Sequence, residues 1–227
     1  MTRVSNTQPN PVHAPQPIAA CSPRGLIKQF HKPAGYAGAM VGKIMNFKNA
    51  AIITGAAERM PLGENDHILE IGYGPGFLAS NLLRRHQHMQ YTGLDWSPVM
   101  QKQATQQNRH AIEQGRAVFD CGDVHEMPYK TSIFDAMVAV NCLHLLADQS
   151  RALSEIIRVL KPASPLYLPL RHKHPTRTRF VAPGYTPDEI THVHSLLAAH
   201  HFQLADDQSY ATRSREVTLV TALSPAQ

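Results

Sequence analysis

The stretch Ile68-Leu69-Glu70-Ile71-Gly72-Tyr73-Gly74-Pro75-Gly76 carries an apolar run into a carboxylate and then sets three glycines at alternate positions. Glycine loses more conformational freedom on folding than any other residue. Three in five positions therefore point to a turn through unusual backbone angles, or to the close approach of a ligand. A dinucleotide fingerprint reads G-x-G-x-x-G, its third glycine allowing close helix–strand packing. Here Phe77 stands at that third position, the spacing is G-x-G-x-G, and Glu70 precedes it by two residues. A carboxylate so placed repels a pyrophosphate and suits a ligand that carries an ammonium or sulfonium group.

Outward from this stretch, short apolar runs alternate with helical spacing. His67–Gly72 reads as a buried strand and Phe77–Arg85 as the helix after it. Tyr91–Trp96 is a second strand ending at Asp95. Ser97 and Pro98 supply an N-cap and a first-turn proline for a helix running to about Glu113, and Gly115 stops it. Ala117–Asp123 and Phe134–Asn141 give a third and a fourth strand, and Ser150–Leu160 a helix that ends before Lys161-Pro162. Ser164–Leu170 is a fifth strand, with Pro169 marking its end. Thr186-Pro187-Asp188-Glu189 is a capping box opening the last helix. Phe202–Tyr210 and Glu216–Leu223 read as the two strands of a final hairpin. Strand–helix alternation implies an α/β fold with a mainly parallel sheet and right-handed crossovers, to which the hairpin adds an antiparallel edge.

The 227 residues suffice for one α/β domain with a few dozen to spare. Residues 1–24 carry five prolines among polar residues and read as a disordered tail. Residues 25–62 hold lead-in helices, with Met40, Val41, Ile44, Met45, Ile52, Ile53 and Ala56 mostly at helical spacing. Residues 63–227 form the α/β domain. The net charge of +5 comes from dispersed basic residues, so dedicated nucleic-acid binding is not expected. Cys21, Cys121 and Cys142 are odd in number and lack C-x-x-C spacing, which fits reduced thiols and neither a disulfide framework nor a zinc site. No segment approaches the roughly 20 apolar residues needed to span a bilayer, and no signal-peptide pattern opens the chain. A cytoplasmic location without membrane attachment is the expectation.

In an open α/β sheet, ligands bind beyond the carboxyl ends of the strands where strand order reverses. Glu70 with the glycines, Asp95, Asp123, and Asn141 with His144 stand at four such ends. Taken together, Leu69–Gly76, Gly93–Met100, Cys121–Tyr129, Phe134–Leu146 and Leu153–Leu168 resemble successive motifs of class I S-adenosylmethionine-dependent methyltransferases. The resemblance covers about Asn65 to Leu170 and is nearest the small-molecule branch that includes quinone-biosynthesis C-methyltransferases. Two departures stand out. Ala163 and Ser164 replace the two glycines usual after "RVLKP", and Asn141-Cys142-Leu143-His144 stands where amino-methylating DNA and protein enzymes carry N/D-P-P-Y/F.

The resemblance implies a doubly wound, seven-stranded, Rossmann-like sheet, with S-adenosyl-L-methionine as cofactor. It implies that Gly72, Gly74 and Gly76 let the backbone pass close to the cofactor, and that Glu70 anchors the loop or faces the cofactor's amino group. Asp95 would accept from the ribose hydroxyls. Trp96 would cover the adenine, Asp123 and the Val124 amide would read its edge, and Asn141 would line the methionine end. Each glycine also reads as a plain tight turn, and each Asp as a strand-end cap.

A general base is needed only where the nucleophile must shed a proton early. His144 is the first candidate, followed by His125 and Tyr36, and each also reads as an ordinary packed or solvent-facing residue. Among 14 histidines only i,i+2 pairs recur, which do not converge on a helix, so no metal site is expected. Arg171, Lys173, Arg177 and Arg179 form a basic stretch that meets an acidic substrate or is simply solvated. The function expected is methyl transfer to a small organic acceptor. The alternatives are a non-catalytic regulatory protein that binds the same cofactor, and an RNA methyltransferase.

Overall fold

The computed structural model describes residues 50–173, 184–212 and 216–226. The Pro-rich segment 1–24, Tyr36, the first part of the lead-in segment and residues 174–179 of the basic stretch lie outside the described residues. A helix over 50–57 (α1) is followed by β1 (His67–Ile71), α2 (Phe77–Arg85), β2 (Gln90–Asp95), α3 (Pro98–Gln107), α4 (Arg109–Glu113), β3 (Ala117–Cys121) and β4 (Ala136–Val138). Then come α5 (Gln149–Val159), β5 (Pro165–Arg171), α6 (Pro187–Ala199), β6 (Gln203–Leu204), β7 (Gln208–Ala211) and β8 (Glu216–Leu223).

The strands form one sheet in the order β3-β2-β1-β4-β5-β8-β6, with β7 also paired to β8. Strands β1 to β5 pair in parallel, and β8 runs antiparallel to β5, β6 and β7. The chain steps outward from β1 to β3, then returns to place β4 on the other side of β1. That reversal opens a crevice at the carboxyl ends of β1 and β4.

Alternation of side chains along each strand sorts the core onto two faces. Ile68, Tyr91, Val138 and Tyr167 pack with Ile52 and Ala56 of α1 and with Leu78 and Leu82 of α2. Leu69, Met137, Leu166 and Leu168 pack with Leu153 and Ile156 of α5 and with Val193 and Leu197 of α6. The result is a helix–sheet–helix sandwich, as the alternating sequence requires. Helix starts follow local chemistry. Ser97 caps α3 with Pro98 in its first turn, Asp148 caps α5, and Thr186 with Glu189 makes both bonds of the capping box on α6. At the far end of the sheet the Tyr210 hydroxyl donates to the Ile52 carbonyl at 2.7 Å, and Arg59 lies 4.5 Å above the Tyr210 ring.

Three expectations change in detail. The helix expected from Ser97 to about Glu113 divides at Asn108. There the amide donates to the Ala104 and Gly76 carbonyls, and a side chain competing for backbone groups favours a break. The stretch expected as one strand over Phe202–Tyr210 is two, so the sheet has eight strands where seven were expected. Pro169 lies within β5, not at its end. Its carbonyl accepts from Asn141 at 3.2 Å on the side where β4 has already ended, so the missing N–H interrupts no ladder.

Candidate functional site

The glycine stretch turns as its composition demands. Gly72, Gly74 and Gly76 have φ of 71°, 52° and 81°, all left-handed. Gly76 caps α2 and lies so close to α3 that a Cβ there would come within 2.6 Å of Asn108 Nδ2 and 3.0 Å of Ala104 Cβ. It thus lets the start of α2 pack closely on α3, whereas the third glycine of a dinucleotide fingerprint serves helix–strand packing. A Cβ on Gly74 would instead enter open space, meeting nothing within 4 Å. Backbone at Gly74 is therefore accessible to a ligand.

Asp95 joins this turn to the end of β2. Its Oδ2 accepts the Gly74 N–H at 3.0 Å and its Oδ1 accepts the Ser97 N–H at 2.9 Å. Burial raises its pKa, and those two bonds partly oppose the rise. Each oxygen keeps a lone pair for a further donor. Trp96, the next residue, is 55% exposed. After β3, Asp123 is exposed and accepts from both the backbone and the ring Nδ1 of His125, the latter at 2.6 Å. Burial alone would raise the Asp123 pKa, but its bonds to His125 outweigh that and hold the carboxyl below the usual range. Val124 is buried, with its side chain in the apolar cluster on the α5 side.

Glu70 lies beneath the turn and is nearly inaccessible, its carboxylate accepting the buried Tyr91 hydroxyl. Desolvation pushes its pKa up to about 8, against the opposing bond from Tyr91, and the Asp95 charge adds to the rise. At neutral pH this carboxyl is largely protonated. The standing negative charge read from the sequence at this position is thus reduced by burial.

Past β4 the chain makes a second tight turn. Asn141 has φ 49°, donates its N–H to Pro169 and accepts the Arg171 N–H on Oδ1 at 2.7 Å. Cys142 follows. Its Sγ donates to the Ile71 carbonyl at 3.3 Å, and its Cβ faces Gly72. Burial and the nearby Glu70 and Asp95 raise its thiol to about 12, so it stays protonated. His144, in a short 3-10 turn over Leu143–Leu145, meets the Tyr185 hydroxyl at 2.7 Å. Two polar atoms of this turn, Asn141 Nδ2 and His144 Nε2, are buried without a hydrogen-bond partner among the described residues.

The structure thus gathers Gly72, Gly74, Gly76, Asp95 and Asn141 around the β1–β4 crevice, and His144 stands one turn beyond Asn141. His125 stands apart, bonded to Asp123 after β3. The sequence reading did not find Tyr91, Asn108 or Tyr185, each a distant partner of a residue it did find. Among the described residues no group of three or more His, Cys, Asp or Glu is placed to hold a metal, and no helix is long and apolar enough to cross a membrane.

Residues 69–168 match the family model for a methyltransferase domain. Over these residues the chain is similar to methyltransferase domains, including ones that depend on S-adenosylmethionine. The chain is 28% identical over 123 residues to an uncharacterised methyltransferase, YdaC, of Bacillus subtilis, covering 54% of this chain and 66% of that protein. It is 31% identical over 112 residues to 27-O-demethylrifamycin SV methyltransferase of Amycolatopsis mediterranei, covering 49% of this chain and 41% of that enzyme. The chain thus spans less than two-thirds of the length of either relative. The crystal structure of an S-adenosylmethionine-dependent methyltransferase from Aquifex aeolicus shares the fold. Its TM-score is 0.68 at 16% identity, over 82% of this chain and 98% of that one.

Proposed function

We propose that this protein transfers a methyl group from S-adenosylmethionine to a small organic acceptor. The carrying observation is the bond from the Gly74 N–H to the Asp95 carboxylate, which ties an open left-handed glycine turn to the β2 acid at the switch point. The residues fit the cofactor. Asp95 would hold the ribose hydroxyls on its remaining lone pairs. Gly72, Gly74 and Gly76 would line the nucleoside with backbone, and Glu70 would anchor the turn from below. Trp96 would cover the adenine, Asp123 and the Val124 amide would meet its edge, and Asn141 would face the methionine end. A relative named for a rifamycin substrate supports a small organic acceptor. The free thiol of Cys142 supports a reducing, cytoplasmic setting. We take residues 63–227 as the catalytic domain.

When bound, the cofactor supplies a methyl carbon on a sulfonium, an already activated leaving group. Asp95 and the glycine turn would hold that group in place, and the crevice would present the acceptor's lone pair in line with it. The protein's part is alignment, which is worth up to about 7–11 kcal/mol in favourable cases. Burial of Glu70 and Asp95 keeps water from competing at the crevice floor.

Thermal unfolding with S-adenosylhomocysteine and with NAD tests the assignment. At a hundred times its dissociation constant, S-adenosylhomocysteine should stabilise the chain by about 2.7 kcal/mol. Asp95→Ala should lose that increment relative to its own ligand-free midpoint. No shift, an equal shift with NAD, or an undiminished shift in the variant would refute the reading.

A further inference from the structure

The neutral His144 ring has one nitrogen that donates and one that accepts, and Tyr185 determines which is which. Tyr185 is almost fully buried, and its backbone is fixed by bonds from its N–H to the Arg171 carbonyl (2.7 Å) and from the Lys173 N–H to its own carbonyl (2.9 Å). Its ring stands edge-on to His144 at 4.9 Å and 89°. The hydroxyl oxygen accepts the His144 backbone N–H at 3.2 Å and lies 2.7 Å from Nδ1. With one lone pair taken by the backbone N–H, the arrangement that leaves no hydroxyl proton unpaired is the one in which the hydroxyl donates to Nδ1. The ring proton then resides on Nε2. His144 is neutral because burial lowers its pKa and the Arg171 charge adds to that, against an opposing contribution from Glu189.

Asn141 is settled by the same logic. The Arg171 N–H can only donate, so the atom 2.7 Å away is Oδ1 and the side-chain NH2 is the atom left over. The turn after β4 therefore carries two buried donors, Asn141 Nδ2 and His144 Nε2–H, with no partner among the described residues. A buried polar group left without a partner costs about 1–3 kcal/mol, which acceptor oxygens on a ligand would relieve.

We propose that Tyr185 is a positioning residue that holds His144 as an Nε2–H donor, and that His144 and Asn141 together seat an anionic oxygen at the acceptor end of the site. This rests on the methyltransferase reading for its function. It changes the role of His144, from the base expected from sequence to a donor. The acceptor class that fits is a small molecule presenting a carboxylate, phenolate or enolate oxygen. The cofactor's own carboxylate is the other source of the same chemistry.

The first test needs no ligand. Ring nitrogen NMR on the whole chain should show His144 neutral with its proton on Nε2. Tyr185→Phe should raise the His144 pKa, because the lost bond favoured the neutral ring. A fall in that pKa, or a proton on Nδ1 in the parent chain, overturns the proposal, since Tyr185 would then be accepting. A role of Tyr185 in packing alone predicts no pKa change and is likewise refuting.

The second test separates the sources, using S-adenosylhomocysteine, 5′-methylthioadenosine (which lacks the carboxylate) and benzoate. If the oxygen is the cofactor's, His144→Leu weakens S-adenosylhomocysteine roughly tenfold or more and leaves 5′-methylthioadenosine unchanged. If it is the acceptor's, the variant leaves both nucleosides unchanged and abolishes benzoate binding to the S-adenosylhomocysteine complex. Either result supports the seat. Unchanged binding of all three probes in both His144→Leu and Asn141→Leu overturns it. Failure of the parent chain to bind S-adenosylhomocysteine would count against the methyltransferase reading and leave the NMR result standing.

Discussion

The β1–β2 end of the crevice and the β4–β5 end differ in how their polar atoms are satisfied. At β1–β2 both oxygens of Asp95 accept backbone N–H groups, and the Asn108 amide closes on Gly76 while its oxygen takes the Ser80 hydroxyl at 2.8 Å. At β4–β5 the Asn141 and His144 side chains each have one atom bonded and one buried atom without a partner. The first region is complete in itself and stands as a rigid frame for a cofactor. The second carries a local energetic cost of the kind that a ligand removes. A site assembled this way keeps one shape for the molecule common to all turnovers, and leaves selection to the other end.

The largest effect that would break this contrast is electrostatic. Glu70, under the rigid half, keeps its proton up to about pH 8, while in the unfolded chain it ionises near its ordinary value of 4.5. Between those values the folded state binds more protons, so its stability is full below about pH 4.5 and falls as pH rises through about 8. Urea unfolding of the parent chain and Glu70→Gln, compared at pH 5 and pH 8.5, should show the parent losing on the order of a few kcal/mol more than the variant. Equal losses would mean that Glu70 is ionised in the fold and that the frame is not dry.

Next in size is Gly76→Ala. Its Cβ would press on Asn108 Nδ2 and Ala104 at a left-handed φ of 81°. The cost should be roughly 2–3 kcal/mol, with a melting point lower by roughly 5–10 °C. A loss below about 1 kcal/mol would show that the frame yields, and would erase the distinction between the two ends.

Asn141→Gly should have the smallest effect. It removes the acceptor of the Arg171 N–H, but it also removes an unsatisfied donor and relieves a φ of 49°. These opposed contributions should leave a net change below about 1 kcal/mol in chemical denaturation. A loss above about 2 kcal/mol would mean that the amide has a partner, and the open end would then be as complete as the other.

What the sequence revealed was whatever depends on neighbours along the chain. The glycine turn, the Ser97 and Thr186 caps and the acid ending β2 are local chemistry, and each is legible from a few residues. Glu70 with Tyr91, Gly76 with Asn108 and His144 with Tyr185 lie 21, 32 and 41 positions apart. Those pairings arise only once β1, β2, α3 and the segment before α6 are stacked, so no spacing rule reports them. For the same reason the sequence identified His144 as a polar group at the site but could not fix its protonation. The protonation of Glu70 was not legible for a related cause, because burial depends on the whole sheet.

The bond from Tyr210 to Ile52 has a consequence for how the chain is made. Its two ends lie 158 positions apart, so a ribosome adding roughly 5–20 residues per second needs on the order of ten to thirty seconds to deliver the second after the first. Through that interval Ile52, Ile53 and Ala56 have no β7 or β8 to cover them, although β1 to β4 have already emerged. A nascent chain of this protein therefore lacks part of the cover over this apolar helix until β7 and β8 leave the exit tunnel. Quality control has that window in which to act, and the arrival of β7 and β8 closes it.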